Sequence, residues 1–372
     1  MLYNKIIDYT KSGVYPMHMP GHKRNPEFAA PELPYGIDIT EIYGFDDLHS
    51  PQGVLLETAM LASELYGSEK SFPLVNGSTV GILTAIGAHA SRGEKILTTL
   101  NCHRSVYNAS SLFGLTPVCI TPETDSESGV IGSVTPEAVE AALFENPDIS
   151  LVVVTSPSYE GVISDIRSIS EITRQRGVPM LVDAAHGAHL GFSPGFPGSP
   201  VKEGADVVVM SLHKTLPALT QCSLLHVCGE RANTPEIKRL LSVLQTSSPS
   251  YVLMASIDRC LRLISTDKEK LFSAYERYLA RFYGEMAALQ KLSMLIAGRS
   301  GVFFDLDPGK IVIVTKNTSM SGYELSGILR NDYSIELELA CDGCAIAMTS
   351  ICDSPDGFKR LAEALLAVDS TI

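Results

Sequence analysis

Between residues 71 and 227, short apolar runs alternate with stretches of helical period. The runs read as strands over 71–75, 95–99, 117–121, 151–155, 179–183, 207–211 and 223–227. The intervening stretches predict helices over 79–91, 104–113, 135–145 and 165–176. Runs such as Val207-Val208-Val209-Met210 are apolar at every position, as a strand covered on both faces requires. This alternation predicts an α/β unit built on a mostly parallel sheet with helices on both faces.

The pattern changes on either side of that unit. Residues 1–50 have little periodicity and much Pro, Gly, His and Asp, and read as an extended arm. Ser50-Pro51 is placed to open a helix, as cap and first-turn proline, that Gly67 closes. After about residue 230, helical periodicity runs over 251–264 and 268–289. Short strands are expected near 302–306, 311–315, 335–339 and 344–348, with helices near 322–330 and 355–367. The expected division is an arm over 1–50, a large α/β domain over 51–245, and linking helices with a small α+β domain over 246–372.

Composition narrows the function classes. With 45% hydrophobic and 19% charged residues in 372, the chain has the balance of an ordinary soluble globular protein. A net charge of −13 argues against nucleic acid or an anionic membrane surface as partner. No apolar run reaches the roughly 18 residues of a membrane helix, and Met1-Leu2-Tyr3-Asn4-Lys5 lacks a signal core. The expected location is cytoplasmic. The eight cysteines read as reduced core residues. Cys341 and Cys344 form the one close pair, and without a second pair or zinc-like His spacing no metal is expected.

The chemistry concentrates at strand ends. Ser211-Leu212-His213-Lys214-Thr215 follows the buried run 207–210. A primary amine there can form a Schiff base with an aldehyde cofactor, of which pyridoxal 5′-phosphate (PLP) is the usual one. Asp183 ends another apolar run and offers a counter-ion for a pyridinium nitrogen. Both positions fall where a parallel sheet presents its carboxyl edge. Asn76-Gly77-Ser78-Thr79 precedes an apolar helix and can cradle a phosphate on backbone N–H groups, although it also reads as an ordinary cap. His103, just after strand 95–99, can lie on a cofactor ring or simply cap a helix. His186 is placed to contact substrate or cofactor, and His189 reads as structural.

Several segments then match one family as a set. They are Met19-Pro20-Gly21-His22-Lys23, Asp38-Ile39-Thr40-Glu41, Asp46-Asp47-Leu48-His49, Asn76-Gly77-Ser78-Thr79 and Asn101-Cys102-His103-Arg104-Ser105. Asp183-Ala184-Ala185-His186, Ser211-Leu212-His213-Lys214-Thr215 and Gln245-Thr246-Ser247-Ser248-Pro249-Ser250-Tyr251 complete the set. The chain resembles the PLP-dependent ornithine/lysine/arginine decarboxylases of the aminotransferase-like fold, over residues 16 to about 265.

The resemblance implies that Lys214 carries PLP, Asp183 pairs with the pyridine nitrogen and His103 stacks on the ring. It puts Ser78, Thr79, Ser211 and His213 at the phosphate, with Ala185 and His186 against the cofactor. It implies at least a homodimer with the active site between subunits, where Thr246 or Ser247 of the partner subunit reaches the phosphate. The implied reaction converts arginine, lysine or ornithine to the amine and CO2, a polyamine-forming step. Lys214 or His213 would supply the proton at Cα; Asp38, Glu41, Asp46 and Asp47 read either as partners for the substrate's distal cation or as solvated loop charges. The chain ends at Ile372, so the additional C-terminal domain of larger members is not expected. Two other readings stay open: another PLP enzyme of this fold (aminotransferase, β-eliminating lyase or aldolase), and a non-catalytic binding or regulatory relative.

Overall fold

The computed structural model describes residues 1–372 except 21, 26, 28–31 and 299, so Gly21 of the motif at 19–23 lies outside the described residues. The chain opens on helix α1 (Leu2–Lys11), followed after the arm by α2 (Val54–Tyr66). Strands and helices then alternate: β1 (Lys70–Leu74), α3 (Gly77–His89), β2 (Lys95–Thr99), α4 (Arg104–Phe113), β3 (Thr116–Ile120), α5 (Pro136–Glu145), β4 (Ile149–Thr155) and the short β5 (Val162–Ile163). Next come α6 (Ile166–Gln175), β6 (Met180–Asp183), β7 (Val207–Ser211), the single turn α7 (Leu212–Thr215), β8 (Ser223–Val227) and α8 (Thr234–Leu244). The C-terminal part contains α9 (Tyr251–Met286), β9 (Ser293–Met294), β10 (Asp305–Leu306), β11 (Lys310–Val314), α10 (Gly322–Tyr333), β12 (Leu339–Ala340), β13 (Cys344–Met348) and α11 (Pro355–Thr371).

The large sheet has seven strands in the order β1-β8-β7-β6-β4-β2-β3. It is parallel except for β8, which runs antiparallel to both neighbours. Every residue of β7 is buried. Val208 and Met210 pack into one hydrophobic cluster, Val207 and Val209 into the other, as the period of two dictates. Each such side chain contributes about 1.5–3 kcal/mol through burial. Helix α3 lies close over this sheet: a Cβ at Gly81 would stand 2.8 Å from Leu74 Cδ1 and 2.9 Å from Val209 Cγ1. That glycine lets the start of α3 approach the strand that leads to Lys214.

The arm differs from expectation. It begins with a helix, because Leu2 and Ile6, one turn apart, are buried and α1 packs on α9. Two buried positions in ten residues leave little periodicity to read, and tertiary packing supplies the helix's stability. Helix α2 starts at Val54 with Gly53 as N-cap, so Pro51 stands outside it. The cap comes from a distance: the Asp46 carboxylate accepts N–H groups of Gln52 (2.8 Å), Gly53 (2.7 Å) and Leu55 (3.1 Å).

The two periodic stretches after residue 250 join into one helix of 36 residues, α9. It is buried along one face and packs against α1, α2 and α11. A four-stranded antiparallel sheet, β12-β13-β11-β9, follows. The strand expected at 302–306 shrinks to β10 and pairs with β5 instead, tying the C-terminal part to the large one. The strand expected at 335–339 is β12, displaced to Leu339–Ala340. Cys119 and Cys352 are exposed rather than in the core, and the Cys341 and Cys344 sulfurs lie 2.9 Å apart. Among the described residues no helix is long and apolar enough to cross a membrane, and no group of three or more His, Cys, Asp or Glu side chains is placed to hold a metal.

Candidate active site

Strands β4, β6 and β7 run side by side and parallel, with Thr155 opposite Asp183 and Asp183 opposite Val209. Their carboxyl ends open on a cleft of about 680 Å³. Asp183, Ala185 and His186 line it from beyond β6; Ser211, His213 and Lys214 line it from the end of β7 and from α7. Ser78 and Thr79 enter from the start of α3, and His103 from the start of α4. Nine candidate residues scattered over some 140 positions of sequence thus share one cavity.

One wall suits an anion. The N-cap of α3, Asn76, makes no side-chain cap bond, because its Oδ1 accepts the Thr246 N–H at 3.1 Å. Gly77 has φ +75° with open space where a Cβ would stand. The Ser78 hydroxyl lies 2.7 Å from that of Ser211 and donates to Ser223 Oγ at 3.3 Å. A helix start without its own capping side chain, ringed by hydroxyls, presents N–H groups and the positive end of the dipole. These residues fit a phosphate group.

The floor suits a cation. Asp183 is buried, and its Oδ1 accepts the Ala185 N–H at 3.1 Å. Burial raises its pKa above the ordinary carboxylate value, against that N–H and the charges of Lys214 and His103. A carboxylate stripped of water calls for a positive partner, and a pyridinium nitrogen answers that need. His103 caps α4, its Nδ1 accepting the Ser105 N–H at 3.2 Å, while its exposed ring lines the cleft. Both readings of that histidine are therefore compatible. His213 Nδ1 donates to the Cys222 carbonyl at 3.1 Å, which fixes its ring.

Three further residues escaped the sequence reading. Lys214 Nζ lies 2.9 Å from His186 Nε2, and Lys310 Nζ lies 3.0 Å from the other nitrogen of the same ring, Nδ1. The Tyr159 ring leans on His186 at 4.8 Å, and its hydroxyl donates to Glu338. Lys310 opens the buried strand β11 and Glu338 precedes β12, so the C-terminal part closes this side of the site. Burial lowers the Lys214 ammonium below the usual lysine value, against the charges of Asp183 and Glu338. The only local hint of Lys310 was a lysine heading the apolar run Ile311-Val312-Ile313-Val314.

The remaining candidates stand away from this cleft. None of Asp38, Glu41, Asp46 and Asp47 lines the cleft of its own chain. Asp46 caps α2, Asp47 accepts the His49 N–H at 2.7 Å, and Asp38 sits 3.3 Å from His22. Asp38, Asp46 and Asp47 thus serve a histidine of the arm, the start of α2 and the arm's backbone. Thr246 also lies outside the lining residues, its carbonyl 2.9 Å from His49 Nε2. His189 turns to Asp307, 3.1 Å away in the core.

Lys310 carries a stability signature. Burial pulls its ammonium down from 10.5 to about 8, against the charges of Asp307 and Glu338. The unfolded chain holds that proton to about pH 10.5, whereas the folded chain releases it near 8. Over that interval the unfolded state binds more protons, so stability contributed by this site rises with pH. The difference in unfolding free energy between wild type and Lys310→Met should shift toward wild type by about 3 kcal/mol from pH 7 to 10.5. Urea unfolding of both proteins measures it, and a constant difference contradicts the assignment.

Known proteins now bear on the site. The family described as Orn/Lys/Arg decarboxylase, major domain, matches residues 1–292. The chain belongs to this family. It is 33% identical to an arginine decarboxylase of Halalkalibacterium halodurans, over 98% of this chain and 76% of that protein. An arginine decarboxylase of Bacillus subtilis is 31% identical, over 99% of this chain and 76% of that one. Such relatives group the chain with the amino-acid decarboxylases. Among solved structures, the lysine decarboxylase LdcF of Francisella novicida superposes with a TM-score of 0.84 at 18% identity, covering 99% of this chain and 60% of that one. An alanine–glyoxylate aminotransferase from Nostoc shares the fold at a TM-score of 0.66 and 14% identity, covering 84% of this chain and 86% of that one. The aminotransferase-like fold expected from the motifs is thus the observed one. This chain spans 60% of the length of the lysine decarboxylase structure.

Proposed function

We propose that this chain, with PLP, decarboxylates a basic amino acid, arginine first, to the amine and CO2. The observation that carries the reading is one cleft holding the Lys214 amine, the buried Asp183 carboxylate and the uncapped start of α3. When bound, PLP supplies an electron sink for the pair released as the Cα–carboxylate bond breaks. Lys214 would hold the cofactor covalently. Asp183 keeps the ring nitrogen charged, because an opposite charge at hydrogen-bond range favours the protonated form. Ser78, Thr79 and Ser211 would hold the phosphate with His213 beside it, His103 would stack on the ring, and Ala185 and His186 would contact the cofactor. Lys214 or His213 returns the proton to Cα. Arginine leads because two relatives, at 33% and 31% identity, are named arginine decarboxylases.

A second copy of the chain belongs to this reading, with Thr246 or Ser247 of the partner subunit reaching the phosphate. The test is release of labelled CO2 from arginine, lysine and ornithine, with leucine and glutamate as controls and the assembly mass measured by sedimentation. Release from a basic amino acid by a dimer or larger assembly is expected. Transamination or elimination of another substrate, without CO2 from any basic one, moves the protein to a different PLP chemistry. A fully active monomer removes the shared site.

A further inference from the structure

The geometry around His186 poses a problem of proton counting. A neutral imidazole has one N–H and one lone-pair nitrogen, whereas an ammonium only donates. His186 nevertheless has a lysine at hydrogen-bond distance on each nitrogen, Lys310 at Nδ1 (3.0 Å) and Lys214 at Nε2 (2.9 Å). The ring is buried, with its pKa driven well below the ordinary histidine value by burial and by the two lysines, so it stays neutral. A neutral ring satisfies one ammonium and donates its N–H to the other lysine as a free amine.

We propose that Lys310, His186 and Lys214 form a proton relay, in which Lys310 stores the proton that decarboxylation consumes and His186 passes it to Lys214. The inference rests on the decarboxylase reading. Exchange of a carboxylate for hydrogen at Cα takes up one proton per turnover. In the relay step the Lys310 ammonium gives a proton to His186 Nδ1, while His186 Nε2–H gives its proton to the Lys214 amine. Lys310 ends neutral, Lys214 charged and the ring in its other tautomer. Lys214 can then donate at Cα and return to the amine. Because His186 lines the cleft, water recharges the store: a proton enters at Nε2, and Nδ1–H passes its own to Lys310.

The surroundings suit such a shuttle. Asp183 and Glu338 face Lys214, with His213 next to it in sequence; Asp307 and Glu338 face Lys310. His103 and His189 approach the ring, and Tyr159 packs on it. A carboxylate serves each end, and Glu338 serves both, so the proton moves between sites of similar charge environment. Burial brings the Lys310 ammonium down to about 8, far nearer neutrality than an ordinary lysine, which suits a proton donor. Lys310 touches neither substrate nor cofactor in this scheme and is a positioning and storage residue.

The test uses two substitutions that a merely structural role cannot separate. In the full-length chain stripped of bound aldehyde, the titration of Lys214 is read by competitive acetylation and peptide mass spectrometry. In Lys310→Met the ring can accept freely from the Lys214 ammonium, so the Lys214 midpoint should rise by about one pH unit or more. Arginine never gives up its proton, so in Lys310→Arg the ring holds Nε2–H toward Lys214 and the midpoint should fall below wild type. Turnover should drop about 100-fold in both variants, the scale of a lost proton-transfer group. Wild-type protein provides a measurement free of folding changes: 15N spectra of labelled histidine should show the His186 proton held on Nε2 while Lys310 is an ammonium, and shared between Nε2 and Nδ1 once pH rises past about 8. Midpoints that do not move in opposite directions, or a ring proton that keeps to one nitrogen, overturn the relay. These readouts involve no substrate, so they fail separately from the CO2 assay.

Discussion

Lys214→Ala should lower turnover by about 10⁴-fold or more, the scale of losing a covalent nucleophile, while leaving the fold intact. Lys214 sits on the one-turn helix α7, half-buried and facing the cleft. Its Nζ contacts His186, and its ammonium is held at a desolvation cost. Alanine therefore removes the reactive amine without opening the core beneath it, where Leu212 and Thr215 are the buried members of the same turn. Urea midpoints of variant and wild type, both free of cofactor, should agree or favour the variant. Borohydride treatment of wild type with PLP should fix the label on Lys214 alone, and peptide mapping reads the position. A label on another lysine, or wild-type turnover in the variant, would falsify the role.

Asp183→Asn should cost about 10³-fold in turnover, comparable to removing one preorganised electrostatic contact. It should also stabilise the cofactor-free chain. The side chain keeps its shape, and an amide oxygen can still accept the Ala185 N–H that Oδ1 takes at 3.1 Å. What disappears is a buried negative charge. With the folded-state pKa raised by burial, the folded chain binds more protons than the unfolded one above pH 3.8, so this site's contribution to stability falls as pH rises from there to the folded pKa. Wherever the carboxyl is ionised, wild type bears that penalty and the asparagine variant does not. Gain of stability with loss of function is the usual trade at a site built for chemistry. Unfolding curves at pH 7 together with kcat test both halves. Near-normal turnover refutes the role of the charge, and a less stable variant refutes the account of its burial.

Much of the fold was legible because its determinants are local. Strand β7 announced itself through Val207-Val208-Val209-Met210, and the same kind of run marked β4 and β6. Alternation with helices then required parallel strands with their carboxyl ends on one edge. That edge is where Lys214, Asp183, Ser78 and His103 meet, so their positions just after strand runs, with the motif set, were enough to group them. Helix α1 was less readable, since its two buried residues depend on α9, far along the chain. Asp46 likewise gave no local sign that it would cap a helix beginning eight positions later.

The deeper part of the site depended on tertiary structure alone. Lys310 reaches His186 across 124 positions, and Tyr159 reaches Glu338 across 179. No periodicity spans such distances. The contacts exist because β10 pairs with β5 and brings the loop before β11 against the end of β6. In the linear pattern a lysine at the head of an apolar strand reads as a solvated strand end. Only the packing of the two parts of the chain takes that ammonium out of water and sets it on a ring nitrogen, where its charge and its proton acquire a use. Sequence determined which residues stand at strand ends, because backbone geometry is local. Tertiary structure decided which of them share a proton, because desolvation and hydrogen bonding depend on what closes over them.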